Sequence, residues 1–180
     1  MTGSTEMPDM DPLLLAVGRG IQAFSAVEDG VTSCFGAMLG DGAPFHHLIH
    51  DAVRGFEMKL KTVDAIAPYA VPDELSERWR QLSAQCRKRA QTRHHLAHWT
   101  VAVVPTPKSV PSADDPVSEV LLVPARGTTE GLLLRHPHLG QSKKQAVTLA
   151  EVRSFTTACI RLYTELTDLA VAIRGQRQGQ

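Results

Sequence analysis

The sequence predicts an all-α fold: an up-down bundle of about four long helices, with a small β appendage inserted before the last one. Three observations carry that expectation. Apolar residues recur at spacings of three, four and seven along four long stretches, which is the period of an amphipathic helix. The first three stretches are joined by short connections, which favour antiparallel neighbours. Between residues 100 and 147 the texture changes to short apolar runs bounded by turn residues, the pattern of strands and hairpin loops.

The first helix is expected over 11–39. Asp11 is a good N-cap and Pro12 suits the first helical position. Leu14, Val17, Ile21, Phe24, Val31, Phe35 and Met38 then trace a heptad-like seam. Gly18, Gly20 and Gly30 interrupt it, each costing about 1 kcal/mol of helix propensity relative to alanine. Packing must therefore hold this helix, and Gly40-Asp41-Gly42 should stop it. A second helix, 43–67, begins near Pro44 with Ile49, Ala52, Phe56, Val63 and Ile66 on one stripe. A third, 72–98, starts at Pro72 with Asp73, Glu74 and Glu77 early in the helix, where a helix dipole favours acids. Its stripe runs Leu75, Trp79, Leu82, Cys86, Arg89, Arg93 and Leu96.

After Trp99, Thr100–Val104, Glu119–Pro124 and Gly131–Arg135 read as short strands, with Pro105–Pro116 as a loop. Thr148-Leu149-Ala150-Glu151 is a capping box. It opens a fourth helix, 148–175, through Val152, Phe155, Cys159, Leu162, Leu166, Leu169 and Ile173 to Gly175.

At 180 residues the chain suits one domain, 1–180, with a disordered start (1–10), a hairpin and loop insertion (100–147) and a frayed tail (176–180). Aromatics are only 5% of residues, which argues against an extended aromatic platform for nucleic acid. Basic and acidic residues balance at 19 each, so the whole chain is not a polycation. The distribution is uneven: residues 1–70 hold 4 basic and 9 acidic groups, whereas 71–100 hold 6 and 3. Cys34, Cys86 and Cys159 form no CxxC pair, so reduced thiols are expected rather than a disulfide framework. With no apolar run longer than five residues and no leader-like N-terminus, the expectation is a cytoplasmic protein without a membrane partner.

All eight histidines fall in three clusters: His46, His47 and His50; His94, His95 and His98; His136 and His138. His46/His50 and His94/His98 have the i, i+4 spacing of helical zinc ligands, but no HExxH motif accompanies them. A metal site on these four histidines is the weaker reading, and at a helix start His46 and His47 are more often solvated. No phosphate loop, Ser/His/Asp set or kinase motif is present, so no cofactor is expected.

The segment Arg93-His94-His95-Leu96-Ala97-His98 is the most informative. It resembles the RxxxxH motif of the HEPN superfamily, with Arg93 at the arginine, His94 at the polar place where Asn is commonest, Ala97 at the small place and His98 at the histidine. The order of helices around it is also similar to that family, including a group of chromosomal bacterial HEPN-like proteins of unassigned role. The resemblance implies a helical bundle, an RNA substrate and a homodimer in which two motifs face one another. It further implies metal-independent endoribonuclease chemistry and a nucleotidyltransferase as operon partner. Under it Arg93 clamps phosphate together with Arg89, His98 is the general acid/base, and His94 orients or shares proton transfer.

Elementary chemistry fits these residue types. Cleaving RNA without metal needs a base for the 2′-hydroxyl, an acid for the leaving oxygen and a cation at the phosphate. A helix C-terminus favours imidazolium. On one helix, however, His94 and His98 lie ~40° apart while Arg93 and His98 lie ~140° apart. The competing reading is structural: Glu28 and Lys59 occupy seam positions of the first two helices, and a Glu28–Arg or Glu28–Lys59 ion pair would satisfy buried charge. A catalytically silent binding or dimerisation module follows from that reading.

Overall fold

α1 spans Asp11–Leu39 in the computed structural model, which describes residues 9–40, 45–105, 118–124 and 146–178. The readings of 1–8, of the loop at 106–116, of a strand at 131–135 and of His136 and His138 lie outside these residues. The start of α1 differs from expectation. Asp11 is already helical, the N-cap is Met10 without a side-chain cap bond, and Asp9 Oδ1 accepts the Asp11 N–H at 2.9 Å. The buried stripe runs through Leu13, Ala16, Gly20, Phe24, Val27, Val31, Cys34 and Met38. Leu14 is instead 50% exposed. A seam drawn through the large apolar residues missed Ala16 and Gly20, whose small size lets another helix approach.

That helix is α5, Leu149–Gln178. A Cβ placed on Gly20 would lie 3.1 Å from Leu96 and 3.4 Å from Phe155, and one on Gly30 would lie 3.0 Å from Leu166. Gly20 beside Phe155 and Gly30 beside Leu166 mean that α1 and α5 run parallel. The C-cap Gly40 has φ 95° and lies close to the Arg177 guanidinium, and its conformation calls for glycine there.

The expected second helix is two. α2 is His46–Ala52 and α3 is Phe56–Ala70. Between them Gly55 adopts φ 81°, a left-handed conformation that breaks the helical path which apolar periodicity alone would continue. α2 runs back along α1, with His46 against Gly36 and His50 against Thr32. Lys59 Nζ lies 3.5 Å from Asp51 Oδ1, bridging the break.

α4, Asp73–His98, runs antiparallel to α3. Trp79 Nε1 and Ser83 Oγ each donate to Asp64 Oδ1 at 2.8 Å. Arg87 donates to Asp64 Oδ2 at 2.6 Å and to Glu57 Oε1 at 3.1 Å. β1 (Trp99–Pro105) and β2 (Ser118–Pro124) pair antiparallel, Trp99 opposite Pro124 and Ala102 opposite Leu121. A two-stranded ribbon is marginal alone. This one is anchored by Leu122, buried in the bundle core, and by two 2.9 Å backbone bonds between Leu122 and Val147.

The chain therefore re-enters the bundle beside the end of α4, and α5 must run antiparallel to α4. The capping box forms as expected: Thr148 N–H donates to Glu151 Oε2 at 2.7 Å and Glu151 N–H to Thr148 Oγ1 at 3.2 Å. α5 continues beyond Gly175 to Gln178, where Arg177 hydrogen-bonds the Met38 carbonyl; the rest of the tail expected to fray, 179–180, lies outside the described residues. The result is an α-helical bundle with a small β appendage before its last helix. Among the described residues no helix is long and apolar enough to cross a membrane.

Candidate functional site

The last two turns of α4 carry the motif, and Leu96 fixes their orientation. Its side chain is 3% exposed and packs on Gly20 of α1. With Leu96 turned inward, helix geometry distributes its neighbours. His94 and His98 are exposed, with ring centroids 4.5 Å apart. His95 is half-buried and stacks on Trp99 at 4.3 Å and 18°. Arg93 is half-buried, and its charge acts on Glu28 of α1.

Glu28 is the electrostatic centre of that inner side. Partial burial raises its carboxyl above the ordinary carboxylate range, against the opposing pull of Arg93 and then Lys59. Neither cation closes a salt bridge to Glu28 among the described residues. α4 is helical without a break from Asp73 to His98, so the angular split between Arg93 and His98 stands. The structure brings His94 and His98 together, while Arg93 lies on another side of the helix, close enough for its charge to act on Glu28.

Arg89 is half-buried and faces α5. It lines a groove of about 300 Å³ with Thr92, His95, Glu151, Ser154 and Phe155. Sequence reading missed the His95–Trp99 stack, although their i, i+4 spacing was the available signal. It also missed the Asp64–Arg87 network, for which single-chain periodicity holds no signal because its partners come from different helices.

The other histidine cluster is divided by α2. His50 is completely buried, with Nδ1 2.8 Å from Thr32 Oγ1. His46 is half-buried against Gly36 rather than solvated, and His47 is exposed. Among the described residues no three His, Cys, Asp or Glu side chains gather to hold a metal ion. The cysteines are free and buried. Burial pushes Cys34 and Cys86 up to about 12 and Cys159 to about 11, so none is an activated nucleophile.

These features define a class no narrower than an α-helical bundle with a hairpin appendage and a solvent-facing histidine pair at the end of α4. No protein-family model, curated protein or solved structure matches the chain.

Proposed function

We propose that the chain is a HEPN-like domain acting as a metal-independent endoribonuclease, its site completed by a second copy in a cytoplasmic homodimer. The observation that carries this reading is the exposed His94–His98 pair, 4.5 Å between rings, at the end of the helix that also bears Arg93. One imidazole takes the proton of the 2′-hydroxyl as that oxygen attacks phosphorus. The other delivers a proton to the departing 5′-oxygen, leaving a 2′,3′-cyclic phosphate. Arg93, with Arg89 further back, supplies positive charge for the phosphate oxygens. The angular separation of Arg93 from His98 is the reason for a dimer: Arg93 of one copy serves the histidines of the other. Exposed Ala97 beside the pair permits close approach. RNA is the substrate partner, and a nucleotidyltransferase encoded nearby is the operon partner this reading brings.

The test is RNA cleavage with and without EDTA, alongside light scattering. Activity retained in EDTA, with a mass near twice 19.6 kDa, supports the reading. A clean monomer removes the composite site, and loss of activity in EDTA points to metal held by histidines. The charge of Arg93 acting on Glu28 favours a second reading, a catalytically silent binding or dimerisation module in which Arg93 is structural. Absence of cleavage by wild-type dimer selects it.

A further inference from the structure

We propose that the groove between the last turns of α4 and the first turns of α5 is a nucleotide subsite for single-stranded RNA, with a base stacked on His95 and an adjoining phosphate on Arg89. The proposal rests on the RNA-directed reading above and adds the place where the strand is held.

The groove measures about 300 Å³, at the small end of ligand sites and suited to one nucleotide unit. His95 lines it while Trp99 backs the imidazole at 4.3 Å and 18°. A flat ring held in a fixed plane by a second ring is a stacking surface for a base. This is one supported pair, so it needs no extended aromatic platform. Arg89 supplies the charge. It is half-buried and makes no salt bridge among the described residues. Glu151, the carboxylate of the groove, turns its Oε2 to the Thr148 N–H and hydroxyl at 2.7 and 2.9 Å and closes no ion pair with Arg89. With no ion-pair partner among the described residues, the Arg89 fork is open to phosphate oxygens. Thr92 and Ser154 line the two walls.

Position links this groove to the histidine pair. The rings of His95 and His94 are 6.3 Å apart, and those of His94 and His98 4.5 Å. A base resting on His95 therefore sets a neighbouring phosphodiester toward His94 and His98. A duplex cannot offer an unstacked base, which makes the ligand a single strand.

The experiment is fluorescence anisotropy with labelled single-stranded 2′-fluoro oligonucleotides of about 12 nucleotides, which lack the attacking hydroxyl, and a matched duplex. Cleavage of ordinary RNA is measured separately. Wild type should prefer the single strand. His95→Ala should weaken binding about 5- to 150-fold, the range for loss of one base–aromatic stack, and His95→Phe should restore it. Arg89→Gln should weaken binding and lower the salt slope by about 0.7. Thermal melts identify any variant that fails to fold, and His95→Phe keeps the stacking test available. If wild type binds while His95→Ala and Arg89→Gln bind equally well, the subsite is wrong and the nuclease reading survives. Binding through these residues without cleavage upholds the subsite and removes the nuclease. No RNA binding by wild type overturns both.

Discussion

Thr32 Oγ1 and His50 Nδ1 lie 2.8 Å apart inside the seam between α1 and α2. The Thr32 hydroxyl also lies 3.1 Å from the Glu28 carbonyl, to which it donates its one proton. It must then accept from His50 Nδ1–H, an assignment made from the hydrogen-bond network. That leaves the Nε2 lone pair buried without a partner among the described residues, which disfavours any charge on this ring. Burial, then the Lys59 charge, push His50 down to about 4, with Asp51 opposing and His47 and His46 adding slightly.

A pH dependence follows. The folded value lies below the ordinary histidine value of 6.5. Between pH 6.5 and about 4 the unfolded chain takes up a proton that the folded chain refuses. His50 therefore costs nothing above pH 6.5, removes stability as pH falls through that window, and has no further effect below it. The loss approaches about 3 kcal/mol. Urea unfolding at pH 7 and pH 4.5 measures it, and His50→Gln should flatten the slope. An unchanged slope in that variant would show that other groups govern acid stability.

The glycines of α1 give predictions of opposite sign. A Cβ on Gly18 meets nothing within 4 Å, and the same is true of Gly175 in α5. Gly18→Ala and Gly175→Ala should each stabilise by about 0.5–1 kcal/mol through helix propensity and chain entropy. Gly30→Ala should destabilise, because its Cβ would stand 3.0 Å from Leu166 in a packed core. Chemical denaturation distinguishes them. Stabilisation by Gly30→Ala would contradict the close α1–α5 approach.

Asp64 offers a third measurement. It accepts from Trp79, Ser83 and Arg87. Asp64→Ala strips three donors of their acceptor at a half-buried site and should cost about 2–3 kcal/mol. Asp64→Asn keeps a carbonyl for Trp79 and Ser83 and should cost less. Equal, negligible losses would show that the network contributes nothing to the α3–α4 pairing.

How far the sequence revealed this depends on the kind of signal. Phe24, Trp79, Cys86 and Leu166 are buried where periodicity set them, and the Thr148–Glu151 box is visible because its members are three residues apart. The division of α2 from α3 was hidden because Gly55 breaks the helix through a backbone angle while the apolar stripe continues across it. Parallel α1 and α5 were hidden because their direction depends on where Val147 meets Leu122. At the site, the His94–His98 pair was legible from spacing. The groove was not, since Arg89 and Ser154 are brought together only by the packing of α5.

The last prediction separates chemistry from architecture at Arg93. A contact ion pair in the interior loses about 3–5 kcal/mol when one partner is removed. Arg93 is half-buried and acts on Glu28 without closing a salt bridge, so that cost should not appear. Removing its charge pushes the Glu28 carboxyl further upward, and Glu28 can then take a proton instead of remaining as an unpaired anion. What is left is the loss of contacts along the arginine stem. Arg93→Ala should therefore cost about 1 kcal/mol, and His98→Ala, at an exposed position, no more than about 1 kcal/mol. Thermal melts of both should fall within a few degrees of wild type. If RNA cleavage disappears in both folded variants, the motif is catalytic. A large drop in the melt of Arg93→Ala, together with an inert wild type, would assign Arg93 to the architecture of the α1–α4 seam.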